Sequence, residues 1–206
     1  MVLIVSARCA PKSSSERSVD QAVDRDVVER AQAGDREAFA ILARTHVDRL
    51  FVIAQRILRD TGLAEDATQQ CLVSLWRQLP SLRDPGKFAG WATRILVNEC
   101  NTEARRRTHR SVELRSIPFE GPASTDDYLP VADRDELERG FRRLPVDQRA
   151  VLVLRHYVGL DLAEIAVTLG LAPGTVRSRL HYAHRAMRAV LEADARPTRA
   201  SGGSAR

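Results

Sequence analysis

The chain has 206 residues, a formal net charge of +5 and a pI near 9.6, with 44% hydrophobic residues. That length and apolar content suit one or two small globular domains, and the positive balance favours an anionic partner. Three widely separated cysteines, Cys9, Cys71 and Cys100, exclude a disulfide framework and a CxxC metal site.

The opening Met1–Val5 is apolar but brief and is followed by Arg8, so no secretory signal peptide is read there. No apolar run approaches the ~20 residues of a membrane span. A cytoplasmic protein without membrane insertion is expected. Of the 32 basic residues, 30 are Arg, and their distribution is uneven. Lys87–Arg110 holds six basic and two acidic residues, whereas Ser111–Asp135 holds two basic and six acidic. A uniformly basic coat would not alternate in this way.

Residues 1–25 mix Ser, Pro and charge without periodicity and read as a disordered leader. Helix is expected from Asp26, with Glu29 at capping-box spacing, and Gly34-Asp35 should break and restart it. From there Phe39, Leu42, Ala43, His46, Leu50, Ile53 and Ile57 keep helical spacing; His46 reads as a packed surface histidine. Asp60-Thr61-Gly62 reads as a turn. The next helix, Leu63–Leu79, has an apolar side of Leu63, Ala67, Cys71, Leu72, Leu75 and Trp76. Its outer side carries Glu65, Asp66, Gln69, Gln70 and Arg77, a face for solvent or for a protein partner.

Pro80 to Gly86 is a loop. Phe88 and Trp91 then stand at the start of a helix with core positions Ile95, Leu96 and Cys100. Asn98, Asn101, Thr102 and Arg105 lie on its polar sides. The two rings are either ordinary core or a stacking platform for opened DNA, where bases stack on rings and Arg pairs with phosphate. Ser111–Arg134, acidic and rich in Pro, reads as a linker. Helix resumes over Glu136–Leu144 and again over Val146–Val158.

Asp161–Leu191 reads as two helices joined by a tight turn. Asp161 and Glu164 have capping-box spacing, Gly170 is placed to end the first helix, and Pro173 suits the first turn of the second. Val176, Leu180, Ala183 and Met187 form the apolar stripe of that second helix. Its other side carries Arg177, Ser178, Arg179, His181, Tyr182 and Arg185. Arg forks onto guanine or phosphate, and hydroxyl and imidazole groups reach base edges, so this is the side-chain set of a major-groove helix. A solvated face on a helical hairpin is the plainer alternative. His181 and His184 at i, i+3 have no Cys or carboxylate spaced to complete a metal site. There is also no phosphate loop, nucleophile motif or apolar carboxylate pair. Neither cofactor nor enzymatic activity is expected.

In this order the segments AQAGDREAFAILAR (31–44), LAEDATQQCLVSLWR (63–77), FAGWATRILVNECNTEARRR (88–107), LPVDQRAVLVLRHYVGLDLAEIAVTLG (144–170) and APGTVRSRLHYAHRAMRAVL (172–191) resemble a bacterial RNA polymerase sigma factor. The resemblance is to the compact extracytoplasmic-function (ECF) group of the sigma-70 family. The residues themselves divide into two all-helical modules, 26–110 and 135–191, with the acidic linker 111–134 between them and a polar, disordered tail at 192–206; the resemblance, which covers about 26–191, implies an all-α fold in which the first module is region 2-like and the second a region 4-like helix-turn-helix.

The resemblance also implies roles. Glu65, Asp66 and Gln69 would dock on core RNA polymerase. Phe88, Trp91, Asn98, Asn101 and Arg105 would recognise and open the minus-ten element. Arg177, Ser178, Arg179, His181, Tyr182 and Arg185 would read the minus-thirty-five element in duplex DNA. Control by an anti-sigma factor is a further implication. The chain departs from the family pattern at Gln70, Asn101, Tyr182 and His184. A conventional helix-turn-helix regulator with an N-terminal sensing domain is the alternative, but such a domain has no reason to combine the features of residues 63–107.

Overall fold

The computed structural model describes residues 25–113 and 140–194, which are helical with short connections and contain no strand. The leader, most of the linker and the end of the tail lie outside the described residues. Helix α1 (25–32) already includes Arg25, so Asp26 is inside the helix rather than its cap. Gly34, at φ +96°, turns the chain, and Asp35 caps α2 (Arg36–Leu58) by accepting from the Glu37 and Ala38 backbone N–H groups.

The expected turn at Asp60-Thr61-Gly62 is instead the start of α3 (Thr61–Gln78). Arg59 takes a left-handed conformation (φ 57°), and the Asp60 carboxylate caps the helix by accepting from Leu63 N–H. An N-cap aspartate outweighs the turn preference of the Thr-Gly pair behind it. Two 3-10 turns, Leu79–Ser81 and Pro85–Lys87, carry the chain into α4 (Phe88–Glu113). Helix α4 therefore extends into the first residues of the expected linker.

After the end of α5 (140–143) come α6 (Val146–His156), α7 (Leu162–Leu169) and α8 (Pro173–Asp194). Asp161 and Glu164 form both halves of the capping box on α7, at 2.8 and 2.7 Å. Gly170 ends α7 at φ 63° in the left-handed region, and Pro173 opens α8.

Helices α2, α3 and α4 pack on one another, and α6, α7 and α8 form a second group. The buried side chains of both groups join in one core, running from Val28, Leu42, Ile53, Leu75 and Leu96 to Val151, Leu154, Ile165 and Val176. A smaller cluster of Leu144, Leu152, Ala183 and Met187 closes α6 on α8. Sequence periodicity did not foretell the packing of α6 and α7 against α2 and α4.

Cys71 and Cys100 are fully buried. Burial pushes the Cys71 thiol up to about 12 and also raises that of Cys100. A thiol with so little thiolate is unreactive. Both cysteines should resist alkylation in the folded chain at pH 7.5 and react at once in denaturant; rapid folded-state labelling would contradict their burial.

Candidate nucleic-acid and protein interfaces

Glu65, Asp66 and Gln69 are exposed on α3. They line a groove of about 470 Å³ shared with Val47, Asp48 and Phe51 of α2. Three carboxylates around an apolar floor offer charge for selectivity and buried area for affinity. Asp66 and Gln69 lie three residues apart, on neighbouring ridges of the helix.

On α4, positions 91, 94, 98, 101 and 105 repeat at intervals of three and four and so share one side of the helix. Asn98 and Arg105 are exposed, and Trp91 and Asn101 are half-buried. Phe88 stands apart: it is only 3% exposed, packed against the rings of His46 (5.1 Å) and Trp91 (6.1 Å). It belongs to the core in this arrangement, so the aromatic pair is a buried ring supporting an accessible one. The sequence had not marked Arg94, which lies on the same side. A Cβ at Gly170 would sit 2.8 Å from its guanidinium, so the glycine that ends α7 also makes room for α4.

On α8, Val176, Ala183 and Met187 are buried, and Arg177, Ser178, His181, Tyr182 and Arg185 are exposed. Arg179 differs from these five. At about 100° per residue it falls at the edge of the exposed arc, and it pairs with Asp147 of α6 at 3.0 Å. Tyr182 is 56% exposed, much for a large ring, and packs edge-on against His181.

His184 does not pair with His181. Its Nε2 lies 3.0 Å from Nε2 of His156 on α6, so one ring donates and the other accepts. Among the described residues no three His, Cys, Asp or Glu side chains gather as a metal site. Partial burial, then His156, Arg188 and His181, lower the His184 pKa below its usual 6.5. A lowered folded-state pKa means that the unfolded chain binds the proton first as pH falls. The contribution is therefore fully present above pH 6.5 and lost as pH drops through that value toward the folded pKa. The melting temperature of the wild type should fall more steeply between pH 7.5 and 5.5 than that of His184→Asn; parallel profiles would contradict the coupling.

These features define an all-helical protein in which a helix-turn-helix is packed on a three-helix unit bearing an acidic groove and an amide-, Arg- and Trp-lined helix. The sigma-70 region 2 family matches residues 42–110, and the sigma-70 region 4 family matches residues 134–189. The ECF RNA polymerase sigma factor SigM of Mycobacterium tuberculosis is 35% identical over 164 residues, covering 76% of this chain and 78% of that protein. The sigma-H factor of Pseudomonas aeruginosa is 30% identical, covering 84% and 95%. Among solved structures, CnrH in complex with the cytosolic domain of CnrY aligns with a TM-score of 0.58 at 26% identity, covering 84% of this chain and 99% of that one. The sigma factor RpoE of Bartonella quintana, at 23% identity and a TM-score of 0.62, shares the fold. The chain belongs to the sigma-70 family of RNA polymerase sigma factors, in its ECF group.

Proposed function

We propose that this sigma factor divides its work among three surfaces. The groove holding Glu65, Asp66 and Gln69 docks on core RNA polymerase. The side of α4 with Trp91, Asn98, Asn101 and Arg105 takes the minus-ten element, with Phe88 supporting Trp91 from the core. The exposed arc of α8 reads the minus-thirty-five element. The observation that carries the reading is the coexistence of the α3 groove and the α4 side with a helix-turn-helix on one chain. The chain itself performs no catalysis and works in the cytoplasm, in response to a stress or another signal. CnrH was solved with a protein partner, the cytosolic domain of CnrY; a comparable partner, an anti-sigma factor, is part of this proposal.

Run-off transcription with core polymerase tests it: the chain should supply promoter-dependent transcripts that core polymerase alone does not make. Absence of such transcripts under every upstream sequence tried would overturn the reading. Arg185→Ala should weaken minus-thirty-five-dependent initiation by ~1–3 kcal/mol if the guanidinium meets a base edge. Arg179→Ala should cost less, because Arg179 must first leave Asp147. Equal losses in promoter-strength measurements would reverse that ranking.

Size adds a constraint. The two promoter elements lie roughly 25 base pairs apart, more than two helical turns and so about 80 Å of duplex. Among the described residues the helix-turn-helix packs directly on α2 and α4, and the longest helix, α4, has 26 residues, about 39 Å at ~1.5 Å each. On this reading the packed arrangement is too short to engage both elements, and the α6–α7 face leaves α2 and α4 before initiation.

A further inference from the structure

His156 is the last residue of α6, and His184 lies midway along α8. Their Nε2 atoms stand 3.0 Å apart and their ring centroids 5.3 Å apart. Both side chains are exposed. Beneath them the two helices are held together. Leu152, one turn before His156, packs in one cluster with Ala183 and Met187 of α8. The Asp147–Arg179 ion pair ties the same helices at 3.0 Å. The imidazoles are therefore presented by elements whose separation is already fixed, which is what a metal-binding pair needs.

The spacing has a chemical meaning. An imidazole nitrogen binds a late first-row divalent metal at roughly 2.0–2.1 Å. Two nitrogens on one such ion lie about 2.9 Å apart at a right angle and about 3.4 Å apart at the tetrahedral angle. The observed 3.0 Å falls near the right-angle end, which suits nickel(II) or copper(II) better than zinc. The rings meet nearly end to end, so an ion beside the line between the nitrogens requires each ring to swing. That swing is about χ2, a broad and soft torsion, on exposed side chains. Among the described residues no third His, Cys, Asp or Glu joins the pair, so water completes the coordination. Two neutral ligands also leave the ion its full charge, with Arg188 one turn further along α8. Binding of moderate strength follows, with a dissociation constant on the order of 10–100 µM.

We propose that His156 and His184 form a surface site for a late first-row divalent metal that favours right-angled ligands, nickel(II) or copper(II), bridging α6 to α8. An ion that needs both rings binds only while the two helices are packed, so it adds to the stability of the helix-turn-helix unit. The site asks nothing of the promoter surfaces and stands apart from the sigma-factor reading.

Titration calorimetry of the full chain with nickel(II) chloride at pH 7.5 tests it, in a Cys9→Ser background so that this thiol supplies no ligand. One saturable site is expected, weakened roughly tenfold or more in both His156→Gln and His184→Asn and retained in His181→Asn. All three histidines are exposed, so the variants keep the fold. Nickel(II) should raise the melting temperature of the parent chain and leave that of His156→Gln and His184→Asn unmoved. No saturable binding up to roughly 1 mM, or undiminished binding in either of those two variants, would overturn the site. Binding that survives His156→Gln and is lost in His181→Asn would place the ion on α8 alone and overturn the bridge, as would a rise in melting temperature that the variants share. Neither measurement involves polymerase or DNA, so their failure is distinct from failure of the transcription assay.

Discussion

Trp91→Ala is expected to leave promoter binding nearly intact and to cut strand opening by roughly five- to 150-fold. The range follows from the ~1–3 kcal/mol that one base–aromatic stack contributes in single-stranded recognition, at about 1.4 kcal/mol per factor of ten. Trp91 is half-buried with its ring against Phe88, so part of its surface is available to an unstacked base while its position is fixed from below. Permanganate reactivity of promoter thymines would report the opening, and a filter or gel assay on ice the closed complex. Phe88→Leu should lower thermal stability as well as opening, because Phe88 is core. Equal permanganate reactivity for wild type and Trp91→Ala would remove Trp91 from the opening step.

The contrast between Phe88 and Trp91 marks how far sequence alone reaches. Both are aromatic residues at the start of a helix, three apart, and periodicity puts both near its apolar edge. Tertiary packing decides which is covered: Phe88 joins the core, with His46 of α2 against its ring, and Trp91 stays half-buried. Local signals fared better. The Asp161–Glu164 capping box, Gly170 in the left-handed region and Pro173 at the first position of α8 are set by residues within a few positions of each other, and all were legible. The start of α3 was misplaced because Thr61-Gly62 resembles a turn, while the Asp60 cap that overrides it shows only once Leu63 N–H is seen to donate to it.

Arg149 and the His156–His184 pair escaped notice for a different reason. Arg149 sits in an ordinary amphipathic helix, where an arginine is expected on the surface. Its guanidinium reaches the carbonyl of Leu58, 91 residues away in sequence. Likewise the sequence shows His181 and His184 three residues apart with nothing to complete a site, and the ring that His184 does meet stands on α6. Helical spacing identifies the side that is covered and says nothing about what covers it. The packing of one group on the other is therefore the part of this fold that sequence could not supply.

That packing gives the second large expected effect. Val146, Arg149, Val153 and Tyr157 are spaced by three and four along α6, so they share one face. Arg149 on that face donates to the Leu58 carbonyl, and the Tyr157 ring lies 4.1 Å beneath the Arg56 guanidinium. Val153, 4% exposed, lies between them. Val153→Asp loses roughly 1.5 kcal/mol or more of apolar burial. It also places a carboxylate where desolvation costs several kcal/mol. The charge regains water either by unfolding α6 or by parting the two groups. Interfaces between units of one chain resemble transient protein contacts, so parting is the cheaper route. Small-angle scattering should therefore show a larger radius of gyration with helical circular dichroism preserved. The opened chain should also compete better for core polymerase in an initiation assay. An unchanged radius with intact helicity would mean that Arg149 and its neighbours neutralise the new carboxylate within the packed arrangement, and that the closed form is stronger than its contacts imply.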